Sequence, residues 1–170
     1  MEFFEVVKNR HSIRAFQEKE VEPEKIEKIL NAANSAPSAG NLQGYKICVV
    51  KDRQAREKIA SAANQEFVAE APVVLVFFAD PDQSAQKYRS RGEKLYCLQD
   101  ATIACSYAQL AVADLGLGSV WVGAFDEEAV SEAIESPRNL RPVAILPIGY
   151  PAEKLKIKTR RPLSEMTWEK

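Results

Sequence analysis

Residues Pro72–Ala79 read PVVLVFFA, a run of β-branched and aromatic residues with no polar interruption. Such a run is typical of a strand buried on both faces, because a strand with one wet face alternates apolar and polar residues. Other parts of the chain must therefore pack against both faces of this strand. We expect a sheet with helices on both of its faces.

The pattern on either side of this strand supplies those layers. The first predicted helix begins near Phe3 and ends by Arg10. Four more are predicted: Glu22–Ala36, Arg53–Ala63, Leu95–Leu115 and a short helix that Asp126 caps and that ends at Ile134. Further predicted strands are Tyr45–Val50, Ser119–Ala124 and Arg141–Gly149. These elements indicate an α+β fold with a mixed sheet and helices on both sides. With no internal repeat and no linker, we expect residues 1–170 to form one domain.

Composition narrows the function classes. The chain has 170 residues, 46% hydrophobic and 28% charged, which indicates a globular protein with a core and not a disordered chain. A formal net charge of −1 argues against a dedicated nucleic-acid binder. The apolar run Ala101–Ala113 is shorter than a membrane span requires, and the N-terminus lacks a secretory signal. Cys48, Cys97 and Cys105 are odd in number and widely spaced, so we expect a cytoplasmic protein with reduced thiols.

Several catalytic motifs are absent. The pair Gly116 and Gly118 follows a helix and lacks the third glycine of a dinucleotide fingerprint, and no GxxxxGK[ST] or GxSxG sequence occurs. The single histidine, His11, leaves no histidine-rich metal site, so no metal is expected. The acidic run Asp126–Glu128 is explained as a helix cap and an acidic first turn.

Three segments carry chemistry beyond the core. RHSIR at Arg10–Arg14 places two cations around a hydroxyl, which suits a phosphate, although a solvated cationic turn would look the same. PSAGNLQ at Pro37–Gln43 offers small residues and amides to a flat heteroaromatic ligand, or is an ordinary polar loop. The basic tail Lys154–Leu163 aligns alternate cations if extended, or is a solvated tail that contacts nucleic acid weakly.

Together these segments resemble the FMN-dependent nitroreductases. RHSIR, APSAGNLQ, PVVLVFFAD, LQDATIACSYAQLAVADLGLGSVWVGAF, LPIGYPAEK and KTRRPL occur in the order found in that family, over nearly the whole chain. The resemblance implies a homodimer with tightly bound FMN at the subunit interface. It also implies NAD(P)H as a transient electron donor and a small acceptor, such as a nitroaromatic or quinone, served in a ping-pong cycle.

The resemblance assigns cofactor-binding residues by position. Arg10 and Ser12 would meet the phosphate and ribityl chain, with His11 nearby, and Arg14 would lie beside the pyrimidine edge of the flavin. The remaining matched positions are Pro37, Ser38, Ala39, Asn41 and, more weakly, Gln43 from the partner subunit, the strand end Val122, Gly123 and Ala124, and the phosphate-closing pair Lys158 and Arg160. No catalytic side chain is implied, because the flavin N5 carries the chemistry.

The chain departs from the family in ways that bear on its substrate. Gly44-Tyr45 replaces the Pro-Trp of many relatives, Ala124 follows Gly123 where longer members carry bulkier or acidic residues, and the helical insertions of longer relatives are missing. The acceptor and the choice between NADH and NADPH therefore stay open. Two other classes also stay open: a flavin-binding storage or sensing protein without turnover, and an interaction module without flavin.

Overall fold

A four-stranded sheet forms the centre of the fold. In the computed structural model, which describes residues 1–154 and 159–170, its strands are β1 (Tyr45–Val50), β2 (Val73–Ala79), β3 (Gly118–Ser119) and β4 (Arg141–Gly149). Across the sheet they lie in the order β1-β2-β4-β3. Each neighbouring pair is antiparallel. Within the described residues, parallel pairing is limited to an isolated bridge between Ser12 and Ser119. The α+β class is confirmed, whereas the expected mixed sheet is not found among the described residues, because all three strand pairs are antiparallel and the parallel bridge lies outside the named strands.

Helices cover both faces of this sheet. The described residues form α1 (Phe3–Asn9), α2 (Pro23–Asn34), α3 (Arg53–Ala63), α4 (Phe67–Glu70), α5 (Pro81–Arg91), α6 (Cys97–Asp114) and α7 (Glu127–Ala133). A π-helical turn, Gly92–Tyr96, joins α5 to α6. Helices α4 and α5 are not predicted from the sequence. The start of α5 is nevertheless encoded, since the Asp80 carboxylate accepts the N–H of Gln83 at 3.1 Å and Pro81 begins the helix.

Strand β2 is buried along its whole length, as the apolar run predicts. Its side chains alternate between two hydrophobic clusters, one on each face of the sheet. Val73, Leu75 and Phe77 pack with residues of α2 and α6. Val74, Val76 and Phe78 pack with residues of α3, α4 and α7. The prediction of helices on both sides is therefore confirmed.

Strand β3 is shorter than the predicted strand Ser119–Ala124. Ser119 pairs with Ile148, and further along the chain an isolated bridge joins Val122 to Ile145 in the same register, so Val120 lies opposite Pro147. Proline has no N–H to donate across that pair, and the ladder is interrupted there. The predicted length of this strand is wrong, because the residue that interrupts the pairing, Pro147, belongs to β4 and not to the predicted strand itself.

Helix α6 is apolar on more than one side. One side is buried in the core and carries Cys97, Ala101, Ala104, Cys105, Ala108 and Val112. Its other side leaves Tyr107 40% exposed and Ile103 partly exposed. Among residues 1–154 and 159–170, no helix has the length and apolarity that crossing a membrane requires.

Candidate functional site

The segment Arg10–Arg14 is fixed against β3. Ile13 is buried, and its N–H donates to the Ser119 carbonyl at 3.0 Å beside the Ser12–Ser119 bridge. A Cβ at position 118 would lie 2.8 Å from Cγ2 of Ile13, so Gly118 allows the close approach. The polar residues on either side of Ile13 are thus held in place by a buried anchor.

A cleft of about 320 Å³ opens where this segment meets the C-terminal end of α6. Its walls include Arg10, His11, Gln109, Gly116, Ser119 and Glu153. Nδ1 of His11 lies 2.8 Å from the Asn9 carbonyl oxygen, and it donates a hydrogen bond to that oxygen when Nδ1 carries the proton. His11 is thereby oriented by the backbone of Asn9, which suits a contact residue more than a proton carrier.

One cationic side chain in the wall of this cleft, that of Arg10, and another close to it in the chain, that of Arg14, are available to a ligand. Arg10 is half-buried and Arg14 is exposed, and neither guanidinium makes an ion pair with another described residue. The Arg14 backbone N–H donates to the Glu153 carboxylate at 2.6 Å. Glu153 is not among the predicted site residues, and its only sequence signal is its place in the LPIGYPAEK motif.

In the strand end Val122–Ala124, Val122 follows three residues after Ser119, at most about 10 Å along an extended chain, and Ala124 follows five residues after it, at most about 18 Å. Val122 is buried, and its N–H and carbonyl both bond to Ile145. Gly123 and Ala124 are exposed, and their backbone groups make no hydrogen bond with other described residues. The structure therefore brings the strand end near Arg10–Arg14, with free backbone groups at Gly123 and Ala124 and none at Val122.

The loop containing Pro37–Gln43 is held at two points by Asp100 in the first turn of α6. The buried Asp100 carboxylate accepts the N–H of Ala39 at 3.0 Å and that of Gly44 at 3.2 Å. Ser38 Oγ accepts the N–H of Gln43 at 3.0 Å. Asp100 is not among the predicted site residues, although a lone acidic residue on the buried side of an alanine-rich helix is a recognisable sequence signal.

Within this loop the side chains named for a ligand face outward. Pro37, Asn41 and Gln43 are exposed, whereas Ser38 and Ala39 are half-buried. Asn41 and Gln43 have φ values of 57° and 51°, an uncommon conformation for residues other than glycine. The Gln43 amide donates to Asn41 Oδ1 at 3.4 Å, which links the two side chains. The loop thus presents an ordered polar surface.

The predicted site residues form two groups in one chain. Arg10–Arg14 lies against Val112 and Ala113 near the end of α6, whereas the Pro37–Gln43 loop is tied to Asp100 near its start. Twelve residues of helix separate Asp100 from Val112, a rise of about 18 Å. Within one chain the two groups are therefore held apart. Of the predicted tail pair, Arg160 is exposed and Lys158 lies outside the described residues.

The thiols and the tyrosine near this site are shielded from chemistry. Burial, and then the charge of Asp100, raise the pKa of Tyr45, whose hydroxyl donates to the Ala33 carbonyl at 3.0 Å. Burial also raises the pKa of Cys97 and Cys48. These groups stay protonated near neutral pH, so the site offers cations, amides and backbone donors to a bound molecule.

This combination of a cation-lined cleft, free backbone donors and an amide-rich loop is typical of a protein that binds a phosphorylated heteroaromatic cofactor. A profile of the Nitroreductase family matches residues 7–67 and 60–150. A Methanothermobacter thermautotrophicus protein, provisionally named NADH dehydrogenase/NAD(P)H nitroreductase, is 36% identical over 158 residues, covering 90% of this chain and 79% of that protein. The chain belongs to the nitroreductase family.

Solved structures agree with this assignment. A nitroreductase family protein of Clostridium difficile 630 superposes with a TM-score of 0.88 at 34% identity, covering 99% of this chain and 98% of its own. An FMN-dependent nitroreductase of Clostridium difficile R20291 superposes with a TM-score of 0.79 at 30% identity, covering 91% and 90%. The nitroreductase-like fold predicted from the sequence is confirmed.

Proposed function

We propose that this chain is an FMN-dependent oxidoreductase that passes electrons from NAD(P)H to a small acceptor such as a nitroaromatic or a quinone. Family membership supports the reaction class, and relatives carry names that include NAD(P)H nitroreductase and FMN-dependent nitroreductase. The structural observation that carries the proposal is the pair of ordered polar groups near opposite ends of α6. Each group alone is half of a cofactor site.

The residues present fit FMN. Arg10 and Ser12 would hold the phosphate end, because guanidinium and hydroxyl donors form charge-assisted bonds to phosphate oxygens. His11 would contact the same end. Arg14 would lie at the pyrimidine edge, with the free backbone of Gly123 and Ala124 nearby. Lys158 and Arg160 of the tail would add charge at the phosphate.

A second copy of the chain would complete each site. Its Pro37, Ser38, Ala39, Asn41 and Gln43 would line the flavin opposite Arg14, which solves the separation of the two groups within one protomer. Apolar side chains suited to such an interface are exposed on α1 and the tail: Phe3, Phe4, Val7, Leu163, Met166 and Trp168. Burying such side chains against a partner is strongly favourable. We infer a homodimer of single-domain protomers.

When bound, FMN supplies a two-electron redox centre that NAD(P)H reduces and the acceptor reoxidises, which gives a ping-pong cycle. The chain contributes binding and electrostatics. Arg14 would stabilise negative charge on the pyrimidine edge, and the loop held by Asp100 would keep the flat substrates aligned and shield the site from water. His11 is committed to its backbone contact, so no side chain is assigned to proton transfer. Free thiols at Cys48, Cys97 and Cys105 suit the reducing cytoplasm, where we place the protein.

An anaerobic visible spectrum of the purified protein with FMN tests this function. We expect a bound-flavin band that bleaches on addition of NADH or NADPH and returns when a quinone is added. A band that neither nucleotide bleaches would overturn the oxidoreductase and favour a storage or sensing protein. Absence of bound flavin after incubation with FMN would overturn the cofactor assignment.

A further inference from the structure

Positive charge is concentrated where α5 ends. Residues 87–94, here called the basic turn, carry four cations and one carboxylate, all exposed: Lys87, Arg89, Arg91, Lys94 and Glu93. None of the four cations forms an ion pair with any part of the chain that the structure describes. Since the whole chain has a net charge of −1, this excess is local. An exposed cluster of like charge attracts an anion of high charge density.

Two tyrosines organise this charge. The rings of Tyr88 and Tyr96 meet edge to face with centroids 5.0 Å apart. Arg91 donates from Nε to the Tyr96 hydroxyl at 3.0 Å and lies over its ring at 5.4 Å. Lys87 lies over the Tyr88 ring at 5.5 Å. Lys87 and Arg91 are therefore positioned on an aromatic pair, which reduces the entropy that these two side chains lose when they bind a ligand.

The backbone of the basic turn is strained at Arg89. Its φ is 48° and its ψ is −136°, a region that residues with a side chain rarely occupy. The chain is then packed tightly, because a Cβ at Gly92 would lie 2.3 Å from the Ser84 carbonyl oxygen. Residues with strained backbone conformations are concentrated at active sites and ligand-binding sites.

The basic turn borders the loop that we propose lines the flavin. A Cβ at Gly40 would lie 2.6 Å from the Tyr88 hydroxyl and 3.0 Å from Lys87 Nζ. One turn earlier on α5, the Gln83 amide donates to the Leu42 carbonyl at 3.0 Å. A dinucleotide that places its nicotinamide over the flavin must rest its adenosine half on a neighbouring surface, and this surface is aromatic and cationic.

We propose that the basic turn binds the adenosine 2′-phosphate of NADPH, and that the protein consequently uses NADPH in preference to NADH. This inference rests on the proposed oxidoreductase function and names its electron donor. The two nucleotides differ only in that phosphate, so discrimination requires cations at the adenosine end. The guanidinium groups of Arg89 and Arg91 can bind a phosphate in a bidentate manner, and Lys87 adds a point charge from the same basic turn. Tyr88 and Tyr96 are half-buried residues, and the exposed part of these rings would contact the adenine.

Two variants and a control test this assignment in the full-length, FMN-loaded protein. Lys87→Gln removes one cation, and Arg89→Gly removes another while relieving the positive φ, so that its fold is preserved. The control is Lys58→Gln, an exposed lysine on α3. Calorimetry with adenosine 2′,5′-bisphosphate and with AMP measures binding without flavin turnover. KM values for NADPH and NADH measure the preference.

We expect wild-type protein to bind the bisphosphate about tenfold or more tightly than AMP, with each variant losing about tenfold for the bisphosphate alone. The KM preference for NADPH falls in parallel, and Lys58→Gln behaves as wild type. Equal binding of the two ligands by wild type, or a preference unchanged in both variants, overturns the inference. A flavin that both nucleotides reduce with equal KM overturns this inference alone, whereas a flavin that neither reduces overturns the proposed function.

Discussion

The buried carboxylate of Asp100 accepts the backbone N–H of Gly44 at 3.2 Å, although 56 residues separate the two in the chain. The other carboxylate oxygen accepts the N–H of Ala39 at 3.0 Å. One side chain on the first turn of α6 thus fixes both ends of the loop proposed to line the flavin. Because α6 is packed into the core, these hydrogen bonds fix the loop to a rigid part of the fold.

Asp100→Asn should loosen this loop. The amide keeps one acceptor oxygen and turns its NH2 group toward the other backbone N–H, which is left unsatisfied in a buried position. We expect a loss of about 1–3 kcal/mol in the free energy of unfolding, measured by urea denaturation, and a weaker affinity for FMN. Asp114→Asn is the matched control on the same helix, since Asp114 is solvent-exposed and pairs only with the Met1 amino group among described residues. Equal stability of the two variants would contradict the anchoring role.

Gly44→Ala should be destabilising because there is no room for a methyl group. A Cβ there would lie 2.0 Å from Ser84 Oγ and 3.2 Å from Asp100 Oδ2. We expect a loss of about 1–3 kcal/mol from overpacking. Ser84 is buried and its hydroxyl has no partner among described residues, so Ser84→Ala should cost little and should rescue much of the Gly44→Ala defect.

Gly116→Ala provides the contrast for that double-mutant cycle. Its Cβ would meet nothing within 4 Å, but its φ is +72°. We expect conformational strain of about 1–2 kcal/mol that Ser84→Ala does not relieve. If Ser84→Ala rescued both glycine variants equally, the steric explanation at Gly44 would be wrong.

Elements with strong local signals could be predicted from the sequence. The bounds Tyr45–Val50, Arg53–Ala63 and Arg141–Gly149 are as predicted. Helix α3, for example, has an Asp52 cap that accepts the Ala55 N–H at 2.8 Å and ends at Asn64 in the left-handed conformation. These signals act within a few residues, so they can be recognised without knowing the fold.

The features that were not predicted from the sequence depend on contacts between residues that are distant in the chain. Strand β3 is short because Pro147, on another strand, faces Val120. Asp100 could not be assigned to the loop, because its partners are separated from it by 56 and 61 residues. The two-group arrangement of the site residues likewise follows from which end of α6 each segment meets.

The thiols give a pH prediction. Burial raises the pKa of Cys105 far above its ordinary value of 9.0, and it raises the pKa of Cys97 as well. Above about pH 9 the unfolded chain loses these protons while the folded chain keeps them, so the free energy of unfolding falls as pH rises, by at most about 1.4 kcal/mol per pH unit for each thiol. Urea denaturation from about pH 8 to pH 10 should show a shallower decline in Cys105→Ala than in wild type. Identical slopes would contradict burial of the thiol.

Arg14→Ala tests the electrostatic role of the cation proposed to face the pyrimidine edge. Reduced flavin is more negative than oxidised flavin there, so loss of the guanidinium should destabilise the reduced form more. An interaction of about 1.4 kcal/mol that is specific to the reduced form corresponds to a midpoint potential about 30 mV more negative for a two-electron couple. Anaerobic titration against a reference dye measures the shift.

Arg14→Lys and Arg53→Gln complete the design of that experiment. Lysine keeps the charge at position 14, so its potential should lie between those of Arg14→Ala and wild type. Arg53 is an exposed cation on α3 that pairs with Glu57, and its removal should leave the potential unchanged. A potential in Arg14→Ala equal to that of Arg53→Gln, with FMN affinity also equal, would remove Arg14 from the site. A weakened FMN affinity without a change in potential would instead place Arg14 against a part of FMN whose charge does not change on reduction.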